Sequence, residues 1–102
     1  MTIKWVKSDP LVMNGEPFCY GSRVTVRQVL EMRAAGATVT DLLKDNPELK
    51  LLGLAHVYAY AGAHREQYAE FFATDGTLTG PGLNAAEADV LPPSLRIAGI
   101  VV

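Results

Sequence analysis

Apolar residues recur at the three- and four-residue spacing of an α-helix in two early segments of this 102-residue chain. The first stripe consists of Val26, Val29 and Leu30, and the second of Val39, Leu42 and Leu43. Each follows a threonine with a polar residue three positions later, Thr25 with Gln28 and Thr38 with Asp41, which predicts two capping boxes. Gly36 and the pair Asn46-Pro47 are typical of the ends of these helices.

A third apolar stretch predicts one long helix over residues 51–72. Its stripe consists of Leu51, Leu54, Ala55, Tyr58 and Ala61. Gly62 lies at its middle, where a helix can bend or split. A second apolar cluster follows this glycine, formed by Tyr68, Phe71 and Phe72. A short last helix is predicted over residues 84–90, with Asn84 as its cap.

The first third of the chain indicates extended structure. Asn14-Gly15 is a preferred pair in tight hairpin turns, because both central positions need a positive φ. Ile3 and Trp5 precede this turn, and residues 18–20 follow it. We therefore expect a short two-stranded ribbon that packs on the helices, since such a ribbon is marginally stable alone.

The chain changes character at Thr74, where glycines and prolines become frequent. Pro92-Pro93 then precedes a final apolar, β-prone stretch. Its candidate contact residues are Leu95, Ile97 and Ile100, which suit a strand that adds to an exposed sheet edge. The alternative is that this tail packs on its own core and completes the domain.

Composition narrows the function classes. A net charge of −2 argues against a strongly basic nucleic-acid binder. One cysteine forms neither an internal disulfide nor a four-ligand zinc site. No apolar run approaches the ~20 residues of a membrane span, and the amino terminus is not typical of a signal peptide. We expect a cytoplasmic domain with no membrane partner and no cofactor.

Candidate catalytic chemistry is weak. Cys19 would need His56 or His64 in hydrogen-bond reach to act as a nucleophile, and nothing in the spacing supports that. A lone cysteine between two aromatic residues is more typical of a buried structural position. No acidic residue joins the two histidines in a metal-binding pattern. We therefore predict no enzyme, no metal site and no small-molecule substrate.

Residues 15–26, with the sequence GEPFCYGSRVTV, resemble the signature of domain-of-unknown-function family 433 (DUF433). That signature is approximately Gly-x-Pro-x-Ile-x-Gly-Thr-Arg-Ile-x-Val. The segments at 36–38, 42–43 and 46–49 are similar to its later helix–turn region, and residues 59–61 to its usual ending. The resemblance covers about residues 3–70.

The resemblance implies a homeodomain-like domain of three helices. With the ribbon, the short last helix and the tail predicted from the residues themselves, we expect a mainly α, homeodomain-like fold of three to four helices, with an N-terminal β-ribbon and an extended C-terminal tail. We divide the chain into a helix-turn-helix domain at 1–73 and an interaction or dimerisation tail at 74–102. The implied function is that of a non-enzymatic antitoxin of a toxin–antitoxin system, paired with a PIN-type ribonuclease toxin and, as a further option, with its own promoter DNA. The alternative is a dimerisation or adaptor protein with no DNA contact.

In a homeodomain-like fold the third helix enters the major groove while cations contact phosphates. Its outward face would present Lys50, Gly53, His56 and Tyr60. The candidate DNA-binding residues are Arg23, Arg27, Lys44, Lys50 and His56, with Arg33 as a further cation; the alternative is that these are solvated surface charges. The apolar surplus over residues 51–72 predicts a homodimer, with candidate contacts at Tyr68, Phe71 and Phe72 and at the tail residues Leu95, Ile97 and Ile100.

Overall fold

The computed structural model describes residues 6–8, 11, 15–19, 22–83 and 85–90. Their strands and helices, in chain order, are β1 (Val6–Lys7), β2 (Phe18–Cys19), α1 (Val26–Ala34), α2 (Val39–Asp45), a 3₁₀ turn (Pro47–Leu49), α3 (Lys50–Ala63), a second 3₁₀ turn (Ala69–Phe71) and α4 (Ala85–Asp89). The predicted mainly α class with an N-terminal ribbon is confirmed. The apolar tail with Leu95, Ile97 and Ile100 lies outside the described residues.

The two strands form an antiparallel ribbon that leads directly into α1. Val6 pairs with Cys19, and Lys7 pairs with Phe18. Phe18 also forms a bridge to Thr25, and the Cys19 amide donates to the Val24 carbonyl at 3.0 Å. The ribbon is therefore joined to the start of α1 by main-chain hydrogen bonds, which supply the support that two short strands lack alone.

Both predicted capping boxes are present. The backbone N–H of Gln28 donates to Thr25 Oγ1 at 3.0 Å, and the backbone N–H of Thr25 donates to Gln28 Oε1 at 2.9 Å. Thr38 and Asp41 form the same reciprocal pair at 3.2 and 3.0 Å. Each box satisfies two of the amides that a helix start leaves without intrahelical partners.

The third helix is shorter than predicted. It ends at Ala63, well before Phe72, because the His64 backbone leaves the helical region at φ −126° and ψ 47°. The following residues form single turns that bring Tyr68 and Phe71 back toward α1. At the other end no side chain caps the helix, and Lys50 has a strained φ of +58° where the 3₁₀ turn joins α3.

Helix α3 is the centre of the core. It contacts α1, α2, both strands and the first 3₁₀ turn. Its buried residues are Gly53, Leu54, Ala55, Val57, Tyr58 and Ala61. The sequence placed Gly53 on the outward face of this helix, and that placement was wrong, because the glycine lies in the register of the buried positions.

The segment after α3 belongs to the same core. Leu78 and Leu83 are buried with the residues of α1 and α3, and Phe72 forms a bridge to Leu78. Leu78 and Leu83 thus share the core of the preceding elements. The predicted division at Ala73, with an interaction or dimerisation tail over residues 74–102, stays a prediction.

The approach of this segment to α1 requires glycine at position 80. Gly80 has a φ of +92°, and a Cβ added there would lie 1.9 Å from the Arg33 carbonyl oxygen. Gly36 offers a comparison, because its φ is +106° but a Cβ would meet nothing within 4 Å. It ends α1 in a Schellman motif, with Gly36 N–H donating to Arg33 and Ala37 N–H to Met32.

We expect Gly80→Ala to lower the free energy of unfolding by about 2–4 kcal/mol, since it combines left-handed strain with a backbone clash. Gly36→Ala is the matched control and should cost about 1 kcal/mol, from strain alone. Urea unfolding followed by circular dichroism measures both. Equal losses for the two variants would contradict the close approach of residue 80 to α1.

Candidate functional site

Arg27, a candidate for DNA contact, forms several contacts within the chain. Its guanidinium forms an ion pair with Glu70 and donates to the Gln67 carbonyl at 3.3 Å. It also lies 5.5 Å from the ring centres of both Tyr68 and Phe71. The bond to Glu70 raises the pKa of Arg27. Arg27 therefore links α1 to the segment after α3, and a phosphate would have to compete with Glu70 for it.

Arg33 is not a surface cation. Only 3% of the residue is exposed, and its guanidinium stacks 4.6 Å above the ring of Tyr58. One terminal nitrogen donates to the Leu78 carbonyl at 3.4 Å. Burial lowers the pKa of this guanidinium, although arginine stays charged at any ordinary pH. The suggestion that Arg33 contacts phosphates was therefore wrong.

The remaining candidate cations, Arg23, Lys44 and Lys50, have exposed side chains. Arg23 is held at the tip of a tight turn between β2 and α1, and it forms no ion pair or hydrogen bond with any described residue. These three side chains are available to a partner in solution.

The outer face of α3 is apolar and only half exposed. No residue from Leu51 to Gly62, a stretch that is described without gaps, is fully exposed. We call Leu52, His56, Ala59 and Ala63 the outer stripe, because they follow one another at helical spacing on the less buried side of α3. Leu52 and Ala59 are partly buried and also pack against the edge of the core. Burial lowers the pKa of His56, which favours a neutral ring.

The aromatic candidates for partner contact lie mostly inside the domain. Tyr68 is completely buried, and Phe71 is 8% exposed, so neither is available on the surface of the folded chain. Phe72 is half buried under the guanidinium of Arg65, which lies 4.9 Å from its ring centre. The helical spacing of these residues suggested one surface, but the chain turns back between Ala63 and Ala69 and buries two of them.

A groove that the sequence did not reveal lies between the turn before α1, α1 itself and the turn after α2. Its volume is about 530 Å³. We call it the Arg23 groove; its walls are Arg23 and Val24 from the turn before α1, Gln28, Glu31 and Met32 from α1, and Asn46 and Glu48 after α2. These segments all carry motifs identified in the sequence, but only the tertiary packing brings them together.

The described residues offer little for catalysis or metal binding. Cys19 is fully buried, and burial raises the pKa of its thiol, which disfavours the nucleophilic thiolate. Among the described side chains, no group of three or more histidine, cysteine or acidic residues could hold a metal ion. None of the helices in the described ranges is long and apolar enough to cross a bilayer.

Comparison with known proteins gives one match. The family described as "Protein of unknown function (DUF433)" matches residues 6–61, just over half of the chain. No curated protein and no solved structure matches the chain. The matched range includes β1, β2, α1, α2 and nearly all of α3, and it ends before the segment that carries Tyr68, Leu78 and Leu83.

The buried Tyr68 predicts a loss of stability at alkaline pH. Burial raises the pKa of Tyr68 from 10.0 to about 12, so the folded chain keeps this proton after the unfolded chain has released it. The resulting stabilisation is complete below pH 10 and is lost as the pH rises toward 12. Burial raises the pKa of Tyr58 too, which adds to the same slope.

We expect Tyr68→Phe to make the free energy of unfolding fall less steeply over this range than it does in the unmodified chain. Urea unfolding at a series of pH values measures the slope, and absorbance near 295 nm follows tyrosinate formation. Tyr60→Phe, at a half-buried position on α3, is a second variant for which we expect a smaller effect, because Tyr60 contributes less than burial does to the raised pKa of Tyr68. An unchanged slope in Tyr68→Phe would show that Tyr68 ionises as easily in the folded chain as in the unfolded one.

Proposed function

The chain belongs to the DUF433 family, and from its own surfaces we propose that it is a small, non-enzymatic, antitoxin-like binding module. Its partners are a second copy of itself and, as the family resemblance implies, a PIN-type ribonuclease toxin in the cytoplasm. We assign α1, α2 and α3 to a homeodomain-like arrangement. The observation that supports a protein partner is the apolar outer stripe of α3.

The outer stripe has the chemistry of a protein contact. Leu52, Ala59 and Ala63 are apolar, and His56 is the only titratable residue among the four. A helix that reads DNA needs polar side chains on its outer face, with cations near the phosphates. The stripe offers one polar side chain, His56, and no lysine or arginine. Small and apolar residues at helical spacing suit close packing against another helix.

The stripe is also self-complementary. Positions 52 and 63 lie at equal distances on either side of the midpoint between residues 57 and 58, and so do positions 56 and 59. In an antiparallel pair of α3 helices around a two-fold axis at that midpoint, Leu52 meets the partner subunit's Ala63, and His56 meets the partner subunit's Ala59. Each contact occurs twice about the axis, as an isologous dimer interface requires, and sets a large side chain against a small one.

We expect the unmodified chain to be a dimer at tens of micromolar, about the range of modest affinities. Ala63→Glu should give a monomer, because it brings two unpaired carboxylates into the interface. Light scattering coupled to size exclusion measures the mass. Ala34→Glu is the matched control and should stay dimeric: Ala34 and Ala63 are both exposed, and each is the last residue of its helix.

Both glutamates have the same small unfavourable interaction with a helix C-terminus. Circular dichroism verifies that each variant is folded. A dimer that survives Ala63→Glu would remove the outer stripe as the interface, and a monomeric unmodified chain would contradict self-association altogether.

Promoter DNA is a second candidate partner, favoured by the exposure of Arg23, Lys44 and Lys50. If the chain binds DNA, Arg23→Ala and Lys44→Ala should each weaken binding to about the same degree for all sequences, because phosphate contacts carry no base information. Arg27→Ala is a poor test, since it also breaks the ion pair with Glu70. Gel shifts at low and moderate salt measure these effects.

A change of sequence preference in His56→Ala or Lys50→Ala would instead place α3 in the major groove. The absence of any shift at low salt, with the fold intact, would contradict DNA binding. It would favour the alternative of a dimerisation or adaptor protein that makes no DNA contact.

A further inference from the structure

We propose that the Arg23 groove binds a short extended peptide of a partner protein, one that carries an acidic and a basic side chain on either side of an apolar residue. This inference rests on the proposed protein-binding role and names the chemistry of the partner segment. It concerns a surface built from the turn before α1, from α1 and from the turn after α2, and it does not involve the outer stripe of α3.

The first wall presents a cation on a rigid support. The Cys19 amide donates to the Val24 carbonyl at 3.0 Å, and the Ser22 amide donates back to the Cys19 carbonyl at 3.1 Å. Ser22 Oγ donates to the same Cys19 carbonyl at 2.9 Å and accepts from the Val24 amide at 3.1 Å. These four bonds hold the turn on both sides of Arg23. Its guanidinium is exposed and suited to bidentate binding of a carboxylate.

Two carboxylates, those of Glu31 and Glu48, belong to the same lining. Glu48 lies in the 3₁₀ turn after α2, and this turn is held by the Leu49 amide donating to the Asn46 carbonyl at 3.0 Å. The Asn46 amide group donates to the Leu42 carbonyl at 3.2 Å, which ties the turn to α2. Glu31 is exposed on α1. Neither carboxylate forms an ion pair with Arg23 across the groove.

Two further lining residues are apolar. Val24 and Met32 are partly buried against the core and line the groove. Methionine is flexible and polarisable, so it adapts to different apolar side chains. An apolar side chain that enters here would cover both residues, while its neighbours in an extended peptide reach the two walls.

The lining selects a peptide over other ligand classes. The volume of about 530 Å³ is within the usual range of small-molecule pockets, but such pockets are mostly apolar and enclose most of the ligand. This groove is open to solvent and lined by three charged and two amide side chains. One cation against two carboxylates repels a phosphate backbone. A peptide with one acidic and one basic side chain matches both walls.

A phage-displayed library of random peptides tests the inference when it is panned against the full chain. The unmodified chain should enrich peptides in which an apolar residue separates an acidic from a basic one. Arg23→Glu should lose the acidic preference, because a carboxylate then faces a carboxylate. Lys44→Glu, which changes an exposed cation outside the groove by the same two charges, is the matched control and should keep the original consensus.

Fluorescence polarisation with a labelled consensus peptide then measures affinity. We expect Arg23→Gln and Glu48→Gln each to weaken binding roughly two- to fivefold, as for exposed ion pairs, and Lys44→Gln to leave it unchanged. All these positions are exposed, and circular dichroism verifies that the variants are folded. A library that yields no consensus, or the same consensus from Arg23→Glu, would overturn the inference.

Co-expression with the PIN-type nuclease of an adjacent reading frame separates this inference from the proposed function. A nuclease that co-purifies equally with the unmodified chain and with Arg23→Glu supports the antitoxin role and overturns the groove as its contact. A nuclease that co-purifies with the unmodified chain and is lost in Arg23→Glu, but not in Lys44→Glu, supports both. Absence from all three, together with a library consensus, overturns toxin binding and leaves the groove as a peptide site.

Discussion

The burial of one guanidinium, that of Arg33, holds three parts of the domain together. A charged group inside a protein is costly unless it finds close compensation. Here the compensation comes from the Tyr58 ring in α3, 4.6 Å away, and from the Leu78 carbonyl in the segment after α3. The last turn of α1, the middle of α3 and residue 78 are therefore fixed relative to one another, and Gly80 lets the chain pass close to the α1 backbone.

Local patterns predicted the parts of the fold whose causes are local. The two capping boxes depend on residues three positions apart, and the structure contains them as expected. The ribbon is present too, but Lys7 pairs with Phe18, so ten residues separate its strands where a two-residue turn at Asn14-Gly15 was predicted. Ile3, Trp5 and Asn14 lie outside the described residues. The length of α3 depends instead on contacts that no local pattern contains. The residues after Ala63 leave the helix because Tyr68 packs in the core and Glu70 meets Arg27 on α1, more than forty residues earlier.

The candidate site residues show the same difference between local and long-range causes. Arg33 continues the helical spacing of the buried Val29 and Leu30, and this spacing indicates burial. Its charge suggested a surface position instead. Arg27 was expected on the surface and lies partly there, but its ion pair was invisible without the fold. The Arg23 groove could not be predicted, because its walls come from segments that meet only when α1 packs beside the end of α2.

Leu83 is the last core residue in the described part of the chain, and its position matters for folding during synthesis. Synthesis proceeds from the N-terminus at about 5–20 residues per second, and domains fold as units. When Ala61 has just left the ribosome, the family-matched region is complete, but Tyr58 and Leu30 lack the covering residues from Tyr68 to Leu83. For the seconds needed to add them, the nascent chain has an open apolar side that a chaperone or a nascent partner can bind. The nascent chain thus cannot bury this apolar side before the segment after α3 has been made.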